Sequence, residues 1–360
     1  MASPQAESTL QVLEKALRAG FRNLGNGFIE IPTKIFVGKV DLKLPSLPEI
    51  ALYAQKPGSE SVELLRTSDQ PYSALALSAF ENVLIREADL EILKKHSEER
   101  LLSATTQTKG GEPVERRMES LRKTAITVVD DLFQNPSASN IVRSTRVVGS
   151  FVYVMMREPE SYLHLARLSS HDPYTLQHSV GAAVNSIILA RKMGIKDEKE
   201  LEEVGMGGLL HDIGKVRVNK DIINKPGPLN DDEWVEMKQH SLWGYEIIHN
   251  APNVSERSKL AVLEHHEDRT GQGYPHRKEW SSVHTFAKIV CIADIFNALT
   301  TNRSYSASRT PFEALQLMRE KMIQKLDEEL FRNMILIYGG KIDDLKAETV
   351  PPSSERKKVA

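Results

Sequence analysis

From residue 114 onward, apolar residues recur at three- and four-residue spacing, and a helical reading accounts for nearly the whole stretch. Glu115 to Phe133 is amphipathic and ends at Asn135-Pro136. Ser137 or Ser139 can cap the next helix, which runs through Val142, Val147, Val148 and Phe151. The pattern predicts further helices over 175–193, 200–210, 231–249, 255–266, 283–300 and 311–325. No strand-turn-strand pattern of comparable strength competes with them, and no internal repeat is present. The first hundred residues differ. Phe28 to Val37 alternates imperfectly around Pro32, as an edge strand or a bent pair of short strands would. Prolines 45, 48 and 57 then divide the chain into short pieces, and Ser73 to Leu102 carries Leu77, Phe80 and Leu84 at helical spacing. Ser103 to Pro113 is polar, glycine-paired and almost free of apolar side chains, which is linker composition.

These patterns predict a mainly α protein, with a C-terminal all-α bundle and a smaller mixed α/β N-terminal domain. The expected boundaries are an N-terminal domain over 1–105, a linker over 106–114, a helical domain over 115–340 and a polar tail over 341–360. Composition adds little beyond exclusions. A net charge of -2 gives no global attraction to a nucleic-acid polymer, so an anionic ligand needs a local site. The single cysteine, Cys291, rules out an intrachain disulfide framework and lies in the apolar run Ile289-Val290-Cys291-Ile292-Ala293, as a buried hydrophobe does. No apolar run approaches the roughly 20 residues of a membrane helix, and the N-terminus lacks a basic-then-apolar signal. A cytoplasmic protein without a membrane span is the expectation.

The histidines carry the chemistry. Of eleven, five lie in the helical half in settings that suit a cation: His178, His211, His240, His265 and His266. His211 precedes Asp212 where an apolar helix gives way to Ile213-Gly214-Lys215, and His265-His266 end another apolar helix before a glycine-rich turn. Asp294 sits inside the apolar run 290–296, where a carboxylate is costly unless paired or bound to metal. Each piece alone reads more readily as a satisfied core residue, and Asp294 has Lys288 and Arg303 as alternative partners. Together, five imidazoles and two carboxylates suit two metal ions sharing one carboxylate. Nitrogen and oxygen donors without thiolates point to Fe or Mn, with Zn, Ni or Co also compatible.

The segments HDPYTLQHSV (171–180), LLHDIGK (209–215), KPGPLNDDEW (225–234), MKQHSLWG (237–244), EHHEDRTGQGYP (264–275) and IADIFNALTTNRSY (292–305) resemble the HD-GYP domain family, in its order and spacing. That family comprises metal-dependent phosphohydrolases that degrade cyclic di-GMP in bacterial signalling. The resemblance covers about residues 115–340 and leaves the first hundred outside. It implies two divalent transition-metal ions, one held by His178, His211, Asp212 and Asp294. Asp212 would bridge to a second, completed by His240, His265 and His266. It further implies catalytic roles for Asp212 and Lys215, attack by a metal-activated hydroxide, and substrate contacts from Lys215, Arg303, Tyr274 and Gly273. Whether Tyr274 touches substrate or packs under its loop stays open, and Arg303 has a surface ion pair as its alternative.

The chain also departs from the family. Tyr174 stands where three-metal members carry a glutamate, which implies two ions and a reaction that stops mainly at linear pGpG rather than GMP. Thr270 and Asn297 replace usual aspartates, Ser306 stands where a basic residue is common, and Asn219 interrupts the usual Ile-Pro. Loss of a cation near 306 would remove a contact of roughly 1.5–3 kcal/mol. Rival readings are therefore a phosphodiesterase for cyclic GMP–AMP, another HD-superfamily nucleotidase, or a weakly catalytic cyclic dinucleotide receptor. A homodimer or a signalling partner through the N-terminal domain is left open.

Overall fold

The computed structural model describes residues 22–32, 50–55, 61–66, 80–90, 113–158, 175–301 and 309–339, with the isolated residues 92, 102 and 161. The chain divides into two compact units, 1–103 and 104–360.

The first unit contains an antiparallel sheet in the order β1-β2-β5-β3-β4. Its strands are β1 (Arg22–Asn23), β2 (Phe28–Pro32), β3 (Leu52–Gln55), β4 (Val62–Arg66) and β5 (Asn82–Arg86). β5 corrects the helical expectation for Ser73 to Leu102 over 82–86; residues 90, 92 and 102 are helical, and 73–79, 91 and 93–101 lie outside the described residues. It pairs with β2 from Phe28↔Arg86 to Pro32↔Asn82, and with β3 at Tyr53↔Leu84. Val83, Leu84 and Ile85 are all buried, a continuous apolar run that a central strand covered on both faces requires. Leu77, Phe80 and Leu84 fit a helical period, but the β-branched pair around Leu84 meets its cross-strand partners better. β2 is not an edge strand, because β1 flanks it.

In the second unit every regular element among the described residues is a helix. A hairpin of α1 (Val114–Gln134) and α2 (Ala138–Arg157) opens it. Ser137 caps α2 by accepting from the amide of Asn140, worth about 1 kcal/mol. The centre is α3 (Thr175–Lys192), packed against α4 (Glu198–Leu210) and α9 (Thr285–Thr300). From His178 to Ala190 every α3 residue is buried, and Ser179, Ala182, Ala183, Ser186 and Ala190 keep its neighbours close. Between α4 and α9 come a 3-10 turn (Ile213–Arg217), α5 (Lys220–Ile223), α6 (Asp231–Lys238), α7 (His240–Ile248) and α8 (Glu256–Glu264). The expected helix over 231–249 is broken at Gln239 into α6 and α7. α10 (Pro311–Met322) starts with a Thr310–Glu313 capping box, and α11 (Glu328–Gly339), absent from the sequence expectation, packs against α3. Tyr338 of α11 donates to Asn185 Oδ1, and its ring lies 4.4 Å from that of Phe296.

Among the described residues, no helix is long and apolar enough to cross a membrane. Cys291 is buried, and that burial pushes its thiol up to about 12. The linker over 106–112 and the tail over 341–360 lie outside the described residues.

Candidate metal centre

Three histidines sit where a helix runs out of hydrogen bonds. The last carbonyls of an α-helix have no partner of their own, and a nearby side-chain donor can cap them. His211, just past α4, places Nδ1 2.7 Å from the carbonyl of Gly208. His240, after α6, does the same to Met237 at 2.7 Å, and His265, after α8, to Val262 at 2.8 Å. A carbonyl oxygen only accepts, so each Nδ1 carries a proton, and in the neutral ring Nε2 presents a bare lone pair. Helix termination thus aims three imidazoles inward in the tautomer that binds a cation.

Those lone pairs converge. His240 Nε2 and His265 Nε2 are 3.3 Å apart. His211 Nε2 is buried without a hydrogen bond, although Asp212 Oδ2 and Asp294 Oδ1 lie 3.3 and 3.6 Å away. Asp212 divides its oxygens, with Oδ2 toward His211 and His178 (3.3 and 3.8 Å) and Oδ1 toward His240 (3.5 Å). Asp294 Oδ1 lies 2.9 Å from His178 Nε2. The His266 ring stands 4.0 Å from that of His265 and 5.0 Å from that of His240. Two groups of donors are each compact enough for one ion, His178/His211/Asp212 and His240/His265/His266.

Electrostatics match this geometry. Burial holds His178, His240, His265 and His266 below the ordinary imidazole value, the last at about 3. For His211, burial is outweighed by Asp212 and Asp294, so its pKa rises. Burial also opposes ionisation of Asp212 and Asp294, yet His211 and Lys215 beside the first, and His178 and His211 beside the second, hold both carboxyls well below the usual range. Bare imidazole nitrogens facing one another and facing two carboxylates form a site that a cation relieves. The donor set therefore fits metal.

Lys215 places Nζ 2.7 Å from Asp212 Oδ2, inside the same cluster. Tyr274 packs its ring 4.6 Å from that of His266, and burial raises its hydroxyl pKa. Gly273 is required for closeness rather than for its φ: a Cβ there would come within 2.5 Å of the 266–268 backbone. Arg303, Ser306 and Tyr174 lie outside the described residues. Thr270 and Gln272 donate backbone amides to Asp268 Oδ1, so Thr270 serves a local turn. Asn219 caps α5 through the amide of Asp221.

Sequence reasoning passed over the carboxylates that hold the turn. Glu267 is fully buried and accepts from the amides of His276 (2.7 Å) and Lys278 (2.9 Å). Glu264 accepts from Lys278 Nζ (2.6 Å) and the amide of His284 (2.8 Å). The available cue was a pair of acidic residues flanking His265 and His266 in an apolar setting, each in need of a partner.

Residues 162–330 match the family described as HD domain. The matched segment lies wholly within the helical unit. Its curated relatives include the "Cyclic di-GMP phosphodiesterase PA4108" of Pseudomonas aeruginosa, 34% identical over 185 residues, covering 51% of this chain and 44% of that protein. The "3'3'-cGAMP-specific phosphodiesterase 3" of Vibrio cholerae is 28% identical over 221 residues, covering 57% and 47%. The chain thus spans about half the length of these relatives. Among solved structures, Bd1817, an HDG"Y"P protein from Bdellovibrio bacteriovorus, superposes with a TM-score of 0.61 at 16% identity, over 87% of this chain and 100% of that one. That likeness concerns the fold, not the chemistry.

Proposed function

We propose that the helical unit is an HD domain and acts as a metal-dependent phosphodiesterase that opens a cyclic dinucleotide, with cyclic di-GMP as substrate and linear pGpG as main product. One observation carries the reading: Asp212 turns one carboxylate oxygen to each of two imidazole groups, as a carboxylate shared by two cations must. His178, His211, Asp212 and Asp294 would hold one ion, and Asp212, His240, His265 and His266 the other. When bound, such a pair supplies Lewis acidity toward phosphoryl oxygens and lowers the pKa of water. The chain's own residues do the rest. The Nδ1–carbonyl bonds fix the imidazole tautomers and directions. Lys215 brings a positive charge for the anionic phosphodiester and the charge that develops on it. Tyr274 and Gly273 shape the turn beside His266. Arg303 is assigned to a phosphate or guanine contact by its motif position alone.

A second reading, hydrolysis of 3'3'-cyclic GMP–AMP, is favoured by the Vibrio cholerae relative named for that substrate. The two share a centre and differ in purine recognition. The unit over 1–105 is proposed as an input or interaction module, supported by its separate core.

The test is elemental analysis of protein purified without chelator, with chromatographic identification of products from cyclic di-GMP, 3'3'-cyclic GMP–AMP and a nucleoside monophosphate. Two equivalents of metal after loading with excess cation, and a linear dinucleotide, are expected. His211→Ala combined with Asp212→Ala should lose both metal and turnover; full activity in that double variant would end the proposal.

A further inference from the structure

His178 departs from the pattern of its neighbours. Its Nδ1 faces no carbonyl. It lies 3.0 Å from Nδ2 of Asn297, and the same Nδ2 lies 3.1 Å from the backbone oxygen of His178. A carbonyl oxygen only accepts, so the amide end beside it is the NH2 group, whichever way the amide is drawn. That NH2 also points at Nδ1, which must then accept. A neutral His178 therefore carries its proton on Nε2, where Asp294 Oδ1 accepts it at 2.9 Å. The carbonyl alone fixes the choice: the amide is fully buried, and its Oδ1 lies against Gly181 without a hydrogen bond of its own. Turning the amide over would set oxygen against oxygen at His178.

We propose that Asn297 is a positioning residue that locks His178 in the tautomer protonated at Nε2, and so makes the two cation sites unequal. The inference rests on the metal-centre reading above. As a ligand through Nε2, a neutral His178 must carry its proton on Nδ1, and two N–H donors would then face each other at the Asn297 contact. A carboxylate at 297 would accept that proton; the amide cannot. The site of His240, His265 and His266 carries no such penalty, since the Nδ1 atoms of His240 and His265 already bond to carbonyls. It fills first, and the His178 site fills only at higher cation concentration. A single-ion state is built into this chain by one amide, placed 119 residues from the imidazole it controls.

The experiment uses the full chain. In chelated, 15N-histidine-labelled protein, long-range proton–nitrogen NMR at neutral pH should show His178 bare at Nδ1 and protonated at Nε2. His240 and His265 should show the reverse. Asn297→Asp should move His178 to the majority pattern. Calorimetric titration with Mn2+, checked by elemental analysis, should give two steps separated by at least about tenfold in the native chain, and Asn297→Asp should raise the weaker one. A native His178 protonated at Nδ1, or steps that Asn297→Asp leaves unchanged, overturns the inference. If neither protein binds Mn2+, the metal-centre reading fails and unequal filling with it, whereas the tautomer assignment is decided by NMR on the native chain alone.

Discussion

The Nε2 atoms of His240 and His265 face each other at 3.3 Å, while each ring's Nδ1 is bound to a backbone carbonyl at the end of the preceding helix. Neither nitrogen can give the other a proton without breaking a helix cap. The contact is a repulsion between lone pairs that only a positive charge turns into attraction.

Divalent cations should accordingly stabilise the fold. A ligand that binds only the native state adds about 4 kcal/mol at a thousandfold excess over its Kd. Differential scanning calorimetry with Mn2+ or Fe2+, against an EDTA-treated sample, should show a higher melting temperature with cation. His265→Ala should remove most of that increment while melting close to the chelated native protein. An increment that survives in His265→Ala would place the cation elsewhere.

Acid should destabilise the cation-free protein. His178, His240, His265 and His266 have folded-state pKa values below 6.5, so below that pH the unfolded chain binds more protons and stability falls with pH. For His266 the loss continues down to about 3. Asp212, depressed by His211 and Lys215, and Asp294, depressed by its hydrogen bond with His178 and by His211, add a further loss below about 4. His211 acts in the opposite sense: its raised value contributes stability that is present below 6.5 and lost as pH rises through the folded pKa. Four imidazoles outweigh one. Urea titrations of chelated protein between pH 7.5 and pH 4 should give a midpoint that declines steadily; a rising midpoint would contradict the burial of uncharged imidazoles.

The helical bundle was legible because its period and its caps agree. Ser137 begins α2 as expected, and Thr310 begins α10 through a capping box. In the N-terminal sheet the strand at Phe28–Pro32 was legible and β5 was not, because Val83-Leu84-Ile85 is buried on both faces and lacks the alternation that marks a half-exposed strand. In the site, residue types were readable but contacts were not. His-Asp, His-His and a lone buried aspartate stand out in one dimension, and the resemblance supplied their grouping. No local pattern could show that Asn297 reaches back to His178, or that Glu267 ties down the chain at 276 and 278.

The approach of α7 to the His-Asp turn depends on one missing side chain. A Cβ at Gly214 would lie 1.9 Å from the carbonyl oxygen of His240 and 2.5 Å from the amide nitrogen of Gly244. Both obstacles are backbone, so relief requires moving the helix that carries His240 away from Asp212. Gly214→Ala should cost about 1–3 kcal/mol in denaturant unfolding, from overpacking. It should also lower bound metal more than a cavity mutation of similar cost, such as Leu132→Ala in the α1 core. Equal metal content in the two variants would show that this close approach does not set the distance from His240 to Asp212.

Glu267 holds the chain on both sides of a strained residue. Its carboxylate accepts from the amides of His276 and Lys278, and between them Arg277 sits at φ 53, in the left-handed region that a side chain disfavours by roughly 1–2 kcal/mol. Both bonds go to a buried charge, each worth about 1.5–3 kcal/mol. Glu267→Gln keeps one acceptor oxygen and turns an NH2 toward the other amide, so one bond is lost and a donor meets a donor. The strained turn should then loosen. Trypsin should cut after Arg277 or Lys278 faster in Glu267→Gln than in the native protein under native conditions. Arg277→Gly in the same background should restore part of the lost stability by removing the left-handed penalty. Because Tyr274 rests on His266 within the same turn, KM for the dinucleotide should rise more than metal content falls. Native-like proteolysis and an unchanged KM in Glu267→Gln would mean that the turn is held by Asp268 and Glu264 without it.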